Sequence, residues 1–85
     1  MTPEERIQRG EHARILMQDP LLQEALDRIE KRAVEELLKV PTFARWGDRK
    51  RRALTDRVNA IRDLRSALET ELALGRQAAE VKRFA

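Results

Sequence analysis

The sequence predicts an all-α protein, an antiparallel hairpin of two long helices preceded by a short N-terminal helix. Three observations lead to this prediction. Charged residues make up 39% of the chain and aromatic residues only 4%, a composition typical of long, solvent-exposed helices. Tyrosine is absent, and the β-branched residues that favour strands are sparse. Two stretches place an apolar residue at every third or fourth position, which is the repeat of an amphipathic helix.

The length of the chain predicts a single helical domain over residues 1–85 with a thin core. A chain of this size buries only about 60% of the surface that its unfolded form exposes. It contains no cysteine, which excludes disulfide bonds and thiolate metal sites. Oligomerisation is the usual remaining source of stability for so small a domain, and we therefore expect self-association.

The hydropathy pattern predicts a soluble, intracellular protein that does not enter a membrane. No stretch of the sequence approaches the roughly 20 apolar residues that span a bilayer. The first ten residues, MTPEERIQRG, lack the apolar centre of a signal peptide.

The first helix is expected over about 3–18. Thr2 and Glu5 stand at the spacing of a capping box, with Pro3 at the first helical position. Gly10 weakens this helix by about 1 kcal/mol relative to alanine. Asp19 followed by proline is a second helix start, and because no loop residues precede it we expect a sharp corner there.

The second helix is expected over about 20–40, ending before Pro41. Opposite charges stand four residues apart in the favourable order, and each such pair contributes about 0.2–0.5 kcal/mol. These pairs are Glu24–Arg28, Asp27–Lys31 and Glu35–Lys39. The apolar stripe consists of Leu22, Leu26, Ile29, Ala33, Leu37 and Val40. A connection over 41–48 follows, with Asp48 as the next N-cap.

The third helix is expected over about 49–74, with Gly75 just past its end and a tail over 75–85 whose order the sequence does not fix. Its main apolar stripe, which we expect to face the second helix, consists of Leu54, Val58, Ile61, Leu64, Leu68 and Leu72. A second apolar row on another side consists of Ala53, Ala60, Ala67 and Leu74, each seven residues after the one before.

This second row predicts an interface with another copy or with a partner helix. Small residues let two helices approach closely, and a seven-residue repeat keeps the contact straight along a supercoil. The alternative is that the first helix or the tail folds back over the row within one chain.

The connection holds two aromatic residues, Phe43 and Trp46, for which two roles are open. They could anchor a partner protein or stack on the bases of a nucleic acid. The alternative is that they cap the open end of the hairpin and cover Val34 and Leu38, which lie off the main stripe of the second helix.

The segment RWGDRKRR carries most of the positive charge of a chain whose net charge is +3. Cations in the first turn of a helix oppose its dipole, and release of counterions on phosphate contact would offset that cost. The candidate nucleic-acid contacts are Arg45, Arg49, Lys50, Arg51 and Arg52. The alternative is that the carbonyls ending the second helix, together with Glu35 and Glu36, neutralise part of this charge.

The sequence predicts no enzyme, no cofactor, no bound metal and no small-molecule substrate. His12 is the only histidine, and it has no second histidine or cysteine with which to share a metal ion. Neither a nucleophile–base pair nor a glycine-rich phosphate loop is recognisable. Most acidic residues are accounted for by capping or by pairs within helices.

Two segments of the chain together resemble a known group of proteins. RGEHARILMQDPLLQEALDRIE (Arg9–Glu30) and IRDLRSALETELALGRQA (Ile61–Ala78) are similar to segments of small helical proteins encoded in tailed phages and prophages, among capsid, portal and packaging genes. The segment KVPTFARWGDRKRR departs from that pattern. The resemblance implies a role in virion assembly or DNA packaging, within a bacterial host cell or in the virion.

Three functional hypotheses follow. The first is a phage assembly component that oligomerises or docks on a larger virion or packaging complex. The second is a DNA-binding packaging or regulatory module that uses the basic segment. The third is an adaptor or inhibitor that binds a host protein through the connection around Phe43 and Trp46.

Overall fold

The computed structural model describes residues 1–41 and 45–84, the side chain of Arg45 excepted. Within these residues the chain forms three helices and no strand, which confirms the all-α prediction: α1 (Pro3–Gln18), α2 (Pro20–Lys39) and α3 (Arg45–Phe84). The molecule measures 60 × 24 × 15 Å. The 40 residues of α3 account for its length, because a helix rises about 1.5 Å per residue.

A single residue joins α1 to α2. Asp19 ends α1 and is also the N-cap of α2, with Pro20 at the first position of the new helix. Its side-chain oxygen Oδ1 accepts hydrogen bonds from the backbone N–H groups of Leu21 at 2.9 Å and Leu22 at 3.1 Å. These bonds satisfy donors that have no partner within the helix, and they produce the loop-free corner that the Asp-Pro pair predicts.

The first two helices follow one another along α3, and both run antiparallel to it. The N-terminal end of α1 lies beside the C-terminal end of α3, where Glu4 and Lys82 are 3.4 Å apart. At the other end of the molecule, the carbonyl oxygen of Pro41 accepts a hydrogen bond from Arg51 at 2.5 Å. Each half of α3 therefore has a different partner, α2 on its N-terminal half and α1 on its C-terminal half.

The core between α2 and α3 is small. It consists of Ala33, Val40, Leu54 and Val58, with Leu37 packed against it. Two members of the expected facing stripes are exposed, since Ile29 is 46% and Leu64 44% exposed. Ala33, by contrast, is fully buried, so a small residue lies at the centre of the contact and these two larger side chains lie at its edge.

The third helix is longer than the sequence predicts at both ends. It begins at Arg45 rather than near residue 49, so Asp48 lies in its first turn instead of capping it. It continues to Phe84, so residues 75–84 are helical rather than a tail. Gly75 is not a helix end, and no described glycine has the positive φ that such an ending requires.

Gly75 lies inside α3 because α1 crosses there at very close range. A Cβ atom built on Gly75 would lie 2.8 Å from the Cα of Gly10, and one built on Gly10 would lie 2.9 Å from the Cα of Gly75. Real Cβ atoms do not approach backbone atoms so closely. Both glycines are buried, and Gly10, which weakens α1 as an isolated helix, is what allows α1 to dock.

Replacing Gly75 with alanine should therefore destabilise the fold, although alanine is the better helix former. Helix propensity alone predicts a gain of about 1 kcal/mol. We expect instead a loss of roughly 1–3 kcal/mol, because the new methyl group forces the two backbones apart. Urea unfolding followed by circular dichroism, at one fixed protein concentration, measures the change. Ser66→Ala, at an exposed site of the same helix, is the control, and a Gly75→Ala variant as stable as the unmodified protein would contradict the packing described here.

Candidate interaction surface

The apolar row predicted on α3 is exposed in the folded chain. Ala53, Ala60 and Ala67 are exposed, and Leu74 retains 37% of its accessible surface. Neither α1 nor α2 covers them, so the alternative in which the chain folds back over the row does not occur among the described residues. Its proposed role as an interface remains a prediction.

The row extends in both directions because α3 is continuous. Seven residues before Ala53 stands Trp46, which is 64% exposed, and seven residues after Leu74 stands Val81, which is 61% exposed. We call the complete set the heptad row: Trp46, Ala53, Ala60, Ala67, Leu74 and Val81. Sequence reasoning missed Val81 because it ended the helix at Gly75, and it assigned Trp46 to the connection. The spacing itself was the available signal.

The heptad row follows a slowly turning line along the helix. Six positions spaced by seven residues extend over about 50 Å at 1.5 Å per residue. Seven residues are slightly less than two full turns, so the row drifts about 20° per repeat, a drift that a left-handed supercoil with a partner helix would offset. A second helix can follow such a line along its whole length.

A second line of residues, four positions after the members of the heptad row, borders it on the side of α1 and α2. This flanking row consists of Lys50, Arg57, Leu64, Glu71 and Ala78. Arg57 shares a cleft with Ile29 of α2. Ala78 and Val81 share another cleft with Met1 and Pro3 at the start of α1. The surface along the heptad row therefore includes side chains of α1 and α2 as well as those of α3.

The charges of the flanking row change along its length. Arg57 makes no ion pair with any described residue, and neither does Arg32, which lines the same cleft. Glu71, by contrast, accepts two hydrogen bonds from Arg9 of α1, at 3.1 and 2.8 Å. These bonds raise the pKa of the Arg9 guanidinium. One half of the flanking row is therefore cationic, and the other half contains a carboxylate with one partner.

The opposite edge of the contact between α2 and α3 is closed by ion pairs. Arg65 contacts both Asp27 and Glu30, and Arg62 donates to Glu30 at 3.3 Å. The predicted pair between Asp27 and Lys31 is replaced by this contact between helices. The two edges of the same helix pair thus differ, since acids and bases balance on one edge and arginines predominate on the other.

The basic cluster predicted from the sequence separates into two kinds of residue. Arg51 is half-buried and holds the chain reversal in place, because it donates to the carbonyl oxygen of Pro41 at 2.5 Å and pairs with Asp48. Arg49, Lys50 and Arg52 are exposed. The side chain of Arg45 lies outside the described residues.

The aromatic cap is not formed by Trp46. The indole lies in a cleft beside Lys39, Val40 and Lys50. Leu38, one of the two residues that the cap was expected to cover, is 82% exposed. The other predicted aromatic, Phe43, lies outside the described residues.

Two further findings concern other kinds of site. Among residues 1–41 and 46–84, no three histidine or acidic side chains gather in a way that could hold a metal ion. None of the helices described is both long enough and apolar enough to cross a membrane.

No protein-family model, curated protein or solved structure matches this chain. The resemblance of Arg9–Glu30 and Ile61–Ala78 to phage-encoded proteins therefore stays a prediction. The heptad row, its flanking charges and the exposed cations of the basic cluster are the features from which a function can be proposed.

The division of the basic cluster predicts different consequences for two neighbouring arginines. Arg51→Ala should lower the free energy of unfolding by about 1–3 kcal/mol, because a half-buried charge-assisted hydrogen bond is lost. Arg52→Ala, its exposed neighbour, should change it by less than about 0.5 kcal/mol. Thermal or urea unfolding measures both. Equal effects of the two substitutions would show that Arg51 is not a structural residue.

Proposed function

We propose that this protein is a non-enzymatic assembly component, a helical hairpin that associates through the heptad row of α3. The observation that carries the proposal is the row of six exposed apolar residues, spaced by seven, that extends from Trp46 to Val81. A solvated helix face normally carries polar residues, and an exposed apolar residue that recurs every seven positions along a whole helix favours contact with a second helix.

The small core supports the same proposal. Among the residues that the structure describes, eight apolar residues are buried, and three of them are alanines: Ala13, Leu26, Ala33, Val40, Leu54, Val58, Ile61 and Ala78. No large side chain among the described residues is fully buried. A fold that buries so little apolar surface gains stability from covering more of it in an assembly.

The size of the surface is sufficient for specific association. A contact about 50 Å long and about 10 Å wide, the usual diameter of a helix, covers roughly 500 Å² on each partner. The total of about 1,000 Å² lies at the lower limit for a specific protein interface. Side chains of α1 and α2 beside the row, such as Ile29, would add to this area.

The resemblance to phage-encoded proteins suggests where such an assembly functions. We propose that the larger complex is a virion or a DNA-packaging complex of a tailed phage, formed in the host cell. The binding partner is then another copy of this chain or a structural protein of the phage. A host protein as the target is the alternative that the sequence leaves open.

A DNA-binding module is the second candidate function, and one specific observation favours it. Arg49, Lys50 and Arg52 are exposed in the first turns of α3 and make no ion pair with any described residue. Because α3 begins at Arg45, these cations lie in its second turn, and contact with phosphate groups would release counterions there. Arg49 and Arg52 stand three positions apart and share one face of the helix.

Association through the heptad row predicts that an acidic side chain placed within it prevents self-association. Ala60 is exposed, so Ala60→Glu should leave the helical content and folding unchanged. We expect light scattering at several concentrations up to about 100 µM, the range of weak dimers, to show a dimer or larger species for the unmodified protein and a monomer for the variant.

Leu38→Glu is the matched control for this experiment. Leu38 is the more exposed apolar side chain, at 82%, but it lies on α2 and outside the row. If association were unspecific hydrophobic adhesion, this substitution would reduce it more than Ala60→Glu does. A strictly monomeric unmodified protein that also fails to bind phage structural proteins would refute the proposed function.

The DNA-binding alternative predicts an affinity that falls steeply with salt. Fluorescence anisotropy with a labelled duplex at 50 and 200 mM salt measures it, because each released counterion steepens the dependence. Arg49→Glu combined with Arg52→Glu should abolish binding. The control is Arg76→Glu combined with Arg83→Glu, which changes the net charge equally at exposed sites near the other end of α3. This variant should retain most of the DNA binding. Absence of binding at 50 mM salt excludes this function.

A further inference from the structure

We infer that the occupant of the heptad row is a second copy of this chain, running antiparallel, with the two Leu64 side chains close to the two-fold axis. The inference rests on the proposed function, since it assumes that the row is an interface. It adds the identity of the partner, its direction and its register, and three features of α3 and its neighbours support it.

The first feature is the match of side-chain sizes when the row is read in opposite directions. The midpoint of the row lies between residues 63 and 64. An antiparallel copy centred there places Trp46 near Val81 of the second copy and Ala53 near Leu74 of the second copy. Ala60 then lies near Ala67 of the second copy. Small residues meet at the centre, where the axes must approach most closely, and a large residue faces a small one farther out, which fills space evenly.

The second feature is the charge of the flanking row. Arg57 and Glu71 stand seven residues before and seven residues after Leu64. An antiparallel copy centred on Leu64 therefore brings Arg57 of each chain next to Glu71 of the other. A parallel copy would bring Arg57 next to Arg57, and like charges in contact disfavour association.

Glu71 can accept this additional partner. It already binds Arg9 of its own chain, but a carboxylate has about four acceptor positions. Its side chain also remains 30% exposed. The Glu71 carboxylate would then lie between two cations. One is Arg9 of its own chain, and the other is Arg57 of the second copy, which has no ion pair within its own described residues.

The third feature is the position of Ile29. A two-fold axis perpendicular to α3 keeps the α1–α2 layers of both copies on the same side, so four rods pack side by side as in a helix bundle. The cleft that Ile29 shares with Arg57 then faces the interior of that bundle. In a parallel pair the two layers lie on opposite sides, and Ile29, which is 46% exposed in one chain, would stay in contact with water.

Cysteine cross-linking tests direction and register, and the absence of native cysteine makes the result unambiguous. Oxidation of Ala53→Cys alone, or of Leu74→Cys alone, should give little disulfide-linked dimer. An equimolar mixture of the two variants should give linked dimer in high yield, because the antiparallel register brings these positions together. Leu64→Cys should cross-link to itself. Ala73→Cys, exposed on another side of α3, measures random collision.

The outcomes separate this inference from the function on which it rests. Efficient cross-linking of Ala53→Cys to itself, with no preference for the mixture, shows a parallel pair and overturns the inference while association through the row stands. A dimer in solution with no cross-link at any of these positions overturns the register and the use of the row. A monomer in light scattering overturns the inference, and the proposed function is refuted as well if that monomer also fails to bind phage structural proteins.

A neutral substitution at Arg57 gives an independent test whose sign depends on direction. In the antiparallel pair, Arg57→Gln removes an attraction and should weaken dimerisation about three- to tenfold, the effect of a partly exposed ion pair. In a parallel pair the same substitution removes a repulsion and strengthens dimerisation. Arg52→Gln, which lies outside both rows, is the control for net charge. Analytical ultracentrifugation at two salt concentrations measures the difference, which should shrink at high salt.

Discussion

The close backbone contact between Gly10 and Gly75 is the constraint on which the rest of the structure depends. It holds α1 against the C-terminal half of α3, where the ion pairs Arg9–Glu71 and Glu4–Lys82 also join the two helices. With α1 in place, α3 is supported along its whole length, because α2 covers only the other half. The heptad row extends over the same length because α3 is one uninterrupted helix.

The all-α class and the corner at Asp19 could be predicted from local signals, and the extent of α3 could not. The Asp19-Pro20 corner follows from capping hydrogen bonds. These join residues within three or four positions, so they can be predicted from a sequence. Gly75 shows the limit of such reasoning. Glycine is the usual residue just past a helix end, but here it lies inside a helix because of Gly10, a residue far away in the chain. Nothing adjacent to Gly75 distinguishes these two uses of glycine.

The candidate surface was predictable in part for a similar reason. The seven-residue spacing of Ala53, Ala60 and Ala67 is visible in the sequence, and these residues are exposed. That Arg51 is half-buried and Arg52 exposed was not predictable. The difference depends on where α3 begins and on the distance between Arg51 and the carbonyl oxygen of Pro41. A run of cations in a sequence shows where charge is concentrated, and only the folded chain shows which cations are already engaged.

The corner at Asp19 has a mechanical consequence. One residue contributes only two rotatable backbone bonds, and the proline that follows restricts them, so α1 and α2 cannot slide past each other, and a separation of α1 from α3 would be a rotation about that point. The same carboxylate fastens the start of α2, so α2 keeps its own anchor while α1 swings outward. Residues at the C-terminal end of α3 would thus become accessible while the contact between α2 and the N-terminal half of α3 stays intact.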